Sequence, residues 1–149
     1  MVKLEEAIKS EKFESPTHKA MLNVLYCAWW LKTIISSQLK PFGITHEQYN
    51  VLRILKGKHP LQMCVRDIGC RMIEKSSNVP RIIDRLEAKK LAARSVSLVD
   101  KRETNITITN AGLGLLLEVA GKINVLEGDA PFNNDDALAL NHLLEKMRR

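Results

Sequence analysis

From Val79 the apolar side chains fall at Val79, Ile82, Ile83 and Leu86, the i, i+3, i+4, i+7 spacing of a helix buried along one stripe. The opposite side of that helix carries Ser77, Arg81, Asp84, Arg85 and Ala88, a narrow face of small and mostly cationic side chains. Guanidinium groups on such a face can form bidentate bonds to base edges and charge-assisted bonds to phosphates. A second cationic group, Lys101-Arg102, closes the segment Leu98-Val99-Asp100-Lys101-Arg102, an exposed loop between two stretches of strand-like sequence. An arginine at the tip of a thin loop suits the negative potential of a narrow minor groove. The chemistry on offer is polyanion recognition.

Charge placement supports that reading. The chain has 149 residues and a formal net charge of +6, yet residues 53–102 hold 13 basic and five acidic side chains, a net of +8, leaving −2 on the remainder. A cationic middle between near-neutral flanks points to nucleic acid or an anionic membrane. Membrane spanning is excluded because the longest apolar stretches are short. The first twelve residues, MVKLEEAIKSEK, place acidic groups where a signal peptide needs an apolar run, so the expected compartment is the cytoplasm. The match of Asn105-Ile106-Thr107 to a glycosylation sequon is then taken as chance. Catalysis finds no support: there is no Ser-His-Asp or Cys-His arrangement, phosphate loop or paired-carboxylate motif, so the chain is read as a non-enzyme. The four histidines (His18, His46, His59, His142) and three cysteines (Cys27, Cys64, Cys70) lack metal-ligand spacing. No cofactor or metal is expected.

The positioning elements follow from periodicity. A long helix is expected from about Thr17 to Lys40, with Met21, Leu25, Ala28, Leu31 and Ile35 as its stripe and Pro41-Phe42-Gly43 as its end. Leu22, Tyr26, Trp29, Trp30 and Ile34 make it apolar on further sides, which calls for more than one neighbour. Thr45 with Gln48 reads as a capping box opening a helix to about Lys56, closed by Gly57. His59-Pro60 marks a turn, Leu61–Met63 a short strand and 64–73 a short helix with Val65, Ile68 and Met72 inward. Ser76-Ser77-Asn78 forms a capping cluster before the basic helix, and Pro80 falls in its tolerant first turn. Ala92–Ser97 and Glu103–Ile108 read as strands. Thr109 caps a helix to about Val125 carrying Leu113, Leu116, Leu117, Ala120 and Ile123, and a last helix shows Ala137, Leu140, Leu144 and Met147 on one face. The fold expected is mainly α with a small β-hairpin, in winged helix-turn-helix order.

Residues 42–120 resemble the MarR family of bacterial transcription regulators. The resemblance is carried by Gly43-Ile-Thr-x-x-Gln-Tyr49-x-Val-Leu52, by Ser76-Ser-Asn-Val-x-Arg-x-x-Asp-Arg-Leu-Glu87, by Arg94 followed by Asp100-x-Arg102, and by Ile108-Thr-x-x-Gly112. It implies a single domain over 1–149, with a winged helix-turn-helix core at 42–109 and dimerisation helices at 1–41 and 110–149. It further implies a homodimer that binds double-stranded DNA at a pseudo-palindromic operator, usually as a repressor. Residues matching Ser76, Ser77, Asn78 and Arg81 lie at the major groove in such proteins, the arginine matching Arg102 enters the minor groove, and the acid matching Asp100 holds the wing. With Arg66, Arg85, Lys101 and Thr104 these make up the expected DNA-facing set. Many members release DNA when a small aromatic or phenolic anion binds between the two parts, which makes a small aromatic effector a candidate partner.

Departures from the family pattern carry their own expectations. Lys90 stands where glycine is common, and a left-handed lysine costs roughly 1 kcal/mol; altered helix termination and a phosphate contact are expected there. Some relatives sense oxidants through a cysteine near the start of the first helix. Aligning on Gly43-Ile44-Thr45 does not place Cys27 at that position, and Ile35 and His46 stand where the sensors' tyrosines would be. Cys27 is therefore read as a small buried hydrophobe, with a cysteine-based redox regulator as an alternative. The other alternative is a winged-helix module for protein–protein interaction, which would have no need to keep Arg81, Arg85, Lys101 and Arg102 together.

Overall fold

The structure, a computed structural model, describes residues 2–75, 78–96, 104–123 and 133–148. A short helix α1 (Leu4–Ile8) precedes the long α2 (Pro16–Leu39). Ser15 caps α2 by accepting the His18 N–H at 3.1 Å, and Pro16 takes the first helical position, where its missing N–H is harmless. A single 3-10 turn at Lys40–Phe42 then ends in Gly43 at φ +66°, a left-handed conformation that glycine adopts at little cost.

The winged helix-turn-helix follows. Helix α3 (His46–Lys58) opens on the expected capping box: Thr45 Oγ1 accepts the Gln48 N–H and Gln48 Oε1 accepts the Thr45 N–H, both at 3.2 Å. Gly57 does not close this helix, which runs on to Lys58; tertiary packing of Val51, Leu52 and Leu55 holds the last turn against the glycine's preference. Strand β1 (Met63–Cys64) leads into α4 (Val65–Arg71), and α5 (Val79–Ala88) buries Val79, Ile82, Ile83 and Leu86, the stripe read from the sequence.

Strands β2 (Ala92–Val96) and β3 (Thr104–Ile108) pair antiparallel from Ala92↔Ile108 to Val96↔Thr104. β1 joins the other edge of β3 (Met63↔Ile106), so the hairpin is part of a three-stranded sheet of order β1-β3-β2. Alternation along β3 puts Ile106 and Ile108 into the core. Helix α6 (Asn110–Ala120), capped by Thr109, adds Leu116 and Val119, and Ile123 lies just beyond it. Leu117, expected inward, is 69% exposed; it lies off the side that Leu116, Val119 and Ile123 share.

The end of α5 and the start of α6 interlock. Lys90 N–H bonds to Glu87 O at 2.8 Å and Leu91 N–H to Leu86 O at 2.9 Å, the paired bonds of a Schellman motif. Lys90 takes the left-handed position at φ +59°. Helix termination is thus not altered as expected: the backbone keeps the geometry a glycine would give, and the lysine bears the strain. Thr109 donates its hydroxyl to Lys90 O at 2.7 Å and its N–H to Leu91 O at 3.1 Å. Gly112 is held so close that a Cβ there would lie 2.3 Å from Leu91 O.

Helix α2 departs most from its expected packing. Only Ile35 and Leu39, at its C-terminal end, enter the core. Met21, Leu25, Ala28 and Leu31 of the expected stripe are exposed, as are Trp29 and Trp30. Cys27, expected to be buried, is exposed too. Helix α7 (Asn134–Lys146) opens on a capping box of Asn133 and Asp136 and buries no residue fully. Ala137 and Leu144 are half-buried, while Leu138 and Leu143 are 68% and 58% exposed. Among the described residues, this apolar surface on two helices is left without a packing partner. No helix among the described residues is long and apolar enough to cross a membrane.

Candidate nucleic-acid interface

The outward face of α5 is set by its buried stripe. Four apolar side chains turned to the core leave Asn78, Arg81, Asp84, Arg85 and Ala88 exposed. What happens to the acids on this helix decides its charge. Arg94, in the middle of β2, forms ion pairs with Asp84 through one guanidinium nitrogen and with Glu87 through the other, the latter at 3.4 Å, and donates to Pro80 O at 3.4 Å. The acids that could have neutralised the helix are thus drawn toward the sheet. Among the described residues, Arg81 and Arg85 enter no ion pair. Arg94 entered the sequence reading only as one motif residue and one positive charge. Its bracing role follows from two acids three apart on one side of α5, facing the strand that comes next.

Of the other expected contacts, Arg66 is exposed in the first turn of α4, and Thr104 is exposed at the start of β3, paired with Val96. Ser76, Ser77, Asp100, Lys101 and Arg102 lie outside the described residues. The structure therefore gathers Asn78, Arg81 and Arg85 on one helix face and puts Arg66 and Thr104 on adjoining elements. Arg53 is occupied locally: it donates to Tyr49 Oη at 2.9 Å and lies over that ring.

A second set of polar contacts joins α2 to this unit. Lys32 pairs with Glu74 at 2.8 Å, in the connection leading to α5, and with Glu47 of α3 at 3.6 Å. The hydrogen bond to Glu74 holds the Lys32 ammonium above its usual value against the opposing effect of burial, with the Glu74 and Glu47 charges adding to it. Burial would push the Glu47 carboxyl up, but hydrogen bonds from its own backbone and the Thr45 hydroxyl, with Lys32 and His46 nearby, bring it below the usual carboxylate range. Beside these groups an open cavity of about 350 Å³ is lined by Ser36, Lys40, Gly43, Ile44, Thr45, His46 and Glu47. Among the described residues, the Nδ1 of His46 is buried without a hydrogen-bond partner.

Cys64 Sγ caps α4 by accepting the Asp67 N–H at 3.4 Å, and Cys70 is exposed further along the same helix. Among the described residues, no three His, Cys, Asp or Glu side chains are gathered as a metal ion would require.

The geometry has clear counterparts among known proteins. Residues 44–104 match the model of the MarR family. The HTH-type transcriptional regulator MhqR of Bacillus subtilis is 32% identical over 87 residues; the match spans 57% of this chain and 57% of that protein, little more than half its length. A MarR transcription factor from Planctomyces limnophilus superposes with a TM-score of 0.68 at 28% identity, over 92% of this chain and 96% of that one. The MepR–DNA complex of S. aureus shares the fold at a TM-score of 0.77 and 23% identity, over 85% of this chain and 94% of that one. Over residues 44–104, and in the architecture described, this chain is similar to the MarR family.

Proposed function

We propose that the chain is a sequence-specific DNA-binding transcription regulator, acting in the cytoplasm as a homodimeric repressor on a pseudo-palindromic operator. The observation that carries this reading is the cationic face of α5: Arg94 engages Asp84 and Glu87, and among the described residues Arg81 and Arg85 enter no ion pair on this exposed helix. In the major groove those guanidinium groups would read base edges, with Asn78 and Ser77 at the helix start. Lys101 and Arg102, held by Asp100, would reach the minor groove. Arg66 and Thr104 would contact the flanking backbone, where charge and hydroxyl groups fix register without reading sequence. Lys90 would add a phosphate contact.

Dimerisation is supported by the uncovered apolar faces of α2 and α7, which a second copy would bury across a two-fold axis. The cavity between α2 and α3, with the Lys40 ammonium in its wall, has the size and a cationic group to take a small aromatic anion as effector. The reading is tested by selecting binding sites from a random duplex pool and measuring affinity for the winner over a salt series. Expected is an enriched sequence with two half-sites about one helical turn apart and log affinity falling linearly with log salt. No enrichment, or binding without a salt slope, overturns it.

A further inference from the structure

Lys89, the exposed residue that caps the end of α5, does not leave its ammonium unbonded. Its Nζ donates to the carbonyl oxygen of Gly43 and, at 3.0 Å, to Oε1 of Gln48. Both acceptors are more than 40 residues away in sequence, at the junction between α2 and α3. Gln48 is only 2% exposed, and its Oε1 already accepts the Thr45 N–H of the capping box. One buried carbonyl oxygen thus serves as the common acceptor for the start of α3 and the end of α5. Removing Lys89 would leave that buried oxygen short of a donor and the Gly43 carbonyl without its partner.

The stripe of α5 is apolar, and apolar contact is non-directional. It sets how deeply the helix sits far better than how it is rotated about its own axis. Productive polar contacts tolerate misalignment of only about 10–20°. The two directional bonds from Lys89, with the Schellman bonds of Lys90 and Leu91 beside them, are placed to resist that rotation. We propose that Lys89 and Gln48 form a strut that sets the orientation of α5, making Lys89 a positioning residue for DNA selectivity rather than a phosphate contact. This rests on the DNA-reading role given to α5 above.

The test uses the full-length chain as wild type, Lys89→Met, Gln48→Met, the double variant and Lys89→Arg, which keeps donors at that position. Two quantities are measured: amide hydrogen exchange by NMR without DNA, and affinity for the selected site and for random duplex over a salt series. Gln48→Met is expected to speed exchange at Lys90 and Leu91 as well as at Thr45. Each single Met variant should lose about three- to tenfold in selected-over-random affinity, at unchanged salt slope. The double variant should be no worse than either single, and Lys89→Arg should recover most of the selectivity. The proposal is overturned if Lys89→Met weakens selected and random DNA alike and reduces the salt slope by about 0.9 while Gln48→Met behaves as wild type. It is equally overturned if exchange at Lys90 and Leu91 ignores Gln48. Should Gln48→Met not fold, the comparison of Lys89→Met with Lys89→Arg decides on selectivity and slope alone. A wild-type chain that selects no site overturns the DNA reading and this role with it, a result distinct from a chain that selects a site and keeps its selectivity in the variants.

Discussion

Arg81 and Arg85 owe their availability to a third arginine. A helix bearing Asp84 and Glu87 beside two arginines would ordinarily settle into internal ion pairs of small value. Arg94 diverts both acids, and the face that remains is cationic. If Arg81 contacts a base, Arg81→Ala should cost about 1–3 kcal/mol in operator binding and relax selectivity at one position of each half-site, as read from competition with single-base operator variants. Arg81 and Arg85 were legible as an outward pair because the Val79–Leu86 stripe defines the opposite side without ambiguity. The roles of Arg94 and Lys89 were not legible, because each acts on residues of another element and spacing along the chain carries no record of such contacts.

At the scale of elements, capping and periodicity predicted most boundaries. Thr45 and Gln48 begin α3 and Thr109 begins α6 as their side-chain chemistry demands. The failures are equally physical. Gly57 reads as a stop yet lies within α3, since buried neighbours outweigh a propensity worth about 1 kcal/mol. Lys90 reads as a departure from a helix end, yet the end is intact at φ +59°. Lys90→Gly should therefore stabilise the fold by about 1 kcal/mol, the left-handed strain relieved, seen as a raised urea midpoint at unchanged slope. The link between α2 and α3 has a pH signature. Glu47 lies below the usual carboxylate range when folded, so its contribution is complete above the unfolded value and is lost as pH falls through the folded one. Lys32 lies above its usual value, so its contribution is complete below the unfolded value and is lost as pH rises through the folded one. Urea melts from acid to alkaline pH should show a plateau between those limits. Glu47→Gln should flatten the acid limb and Lys32→Met the alkaline one.

At the scale of the whole molecule, the core lies in the winged helix and takes only Ile35 and Leu39 from α2, whereas the rest of α2, with α7, presents apolar surface outward. Leu138 and Leu143 are exposed in the single chain, so replacing both with Glu should barely disturb the isolated fold. If these faces meet in a dimer, the double variant should sediment as a monomer and lose operator affinity while keeping its helical circular dichroism; a dimer that survives would place the interface elsewhere. Composition and spacing by themselves determined the order of elements from α2 onward (though not the short α1), the buried stripe of α5 and the concentration of positive charge on residues 53–102, because capping, periodicity and net charge are local properties. Tertiary structure decided which apolar residues of α2, α6 and α7 are covered, that β1 completes the sheet, and which charges are neutralised. Each of those depends on distant side chains meeting in space, where Asp84 finds Arg94 and Gln48 finds Lys89.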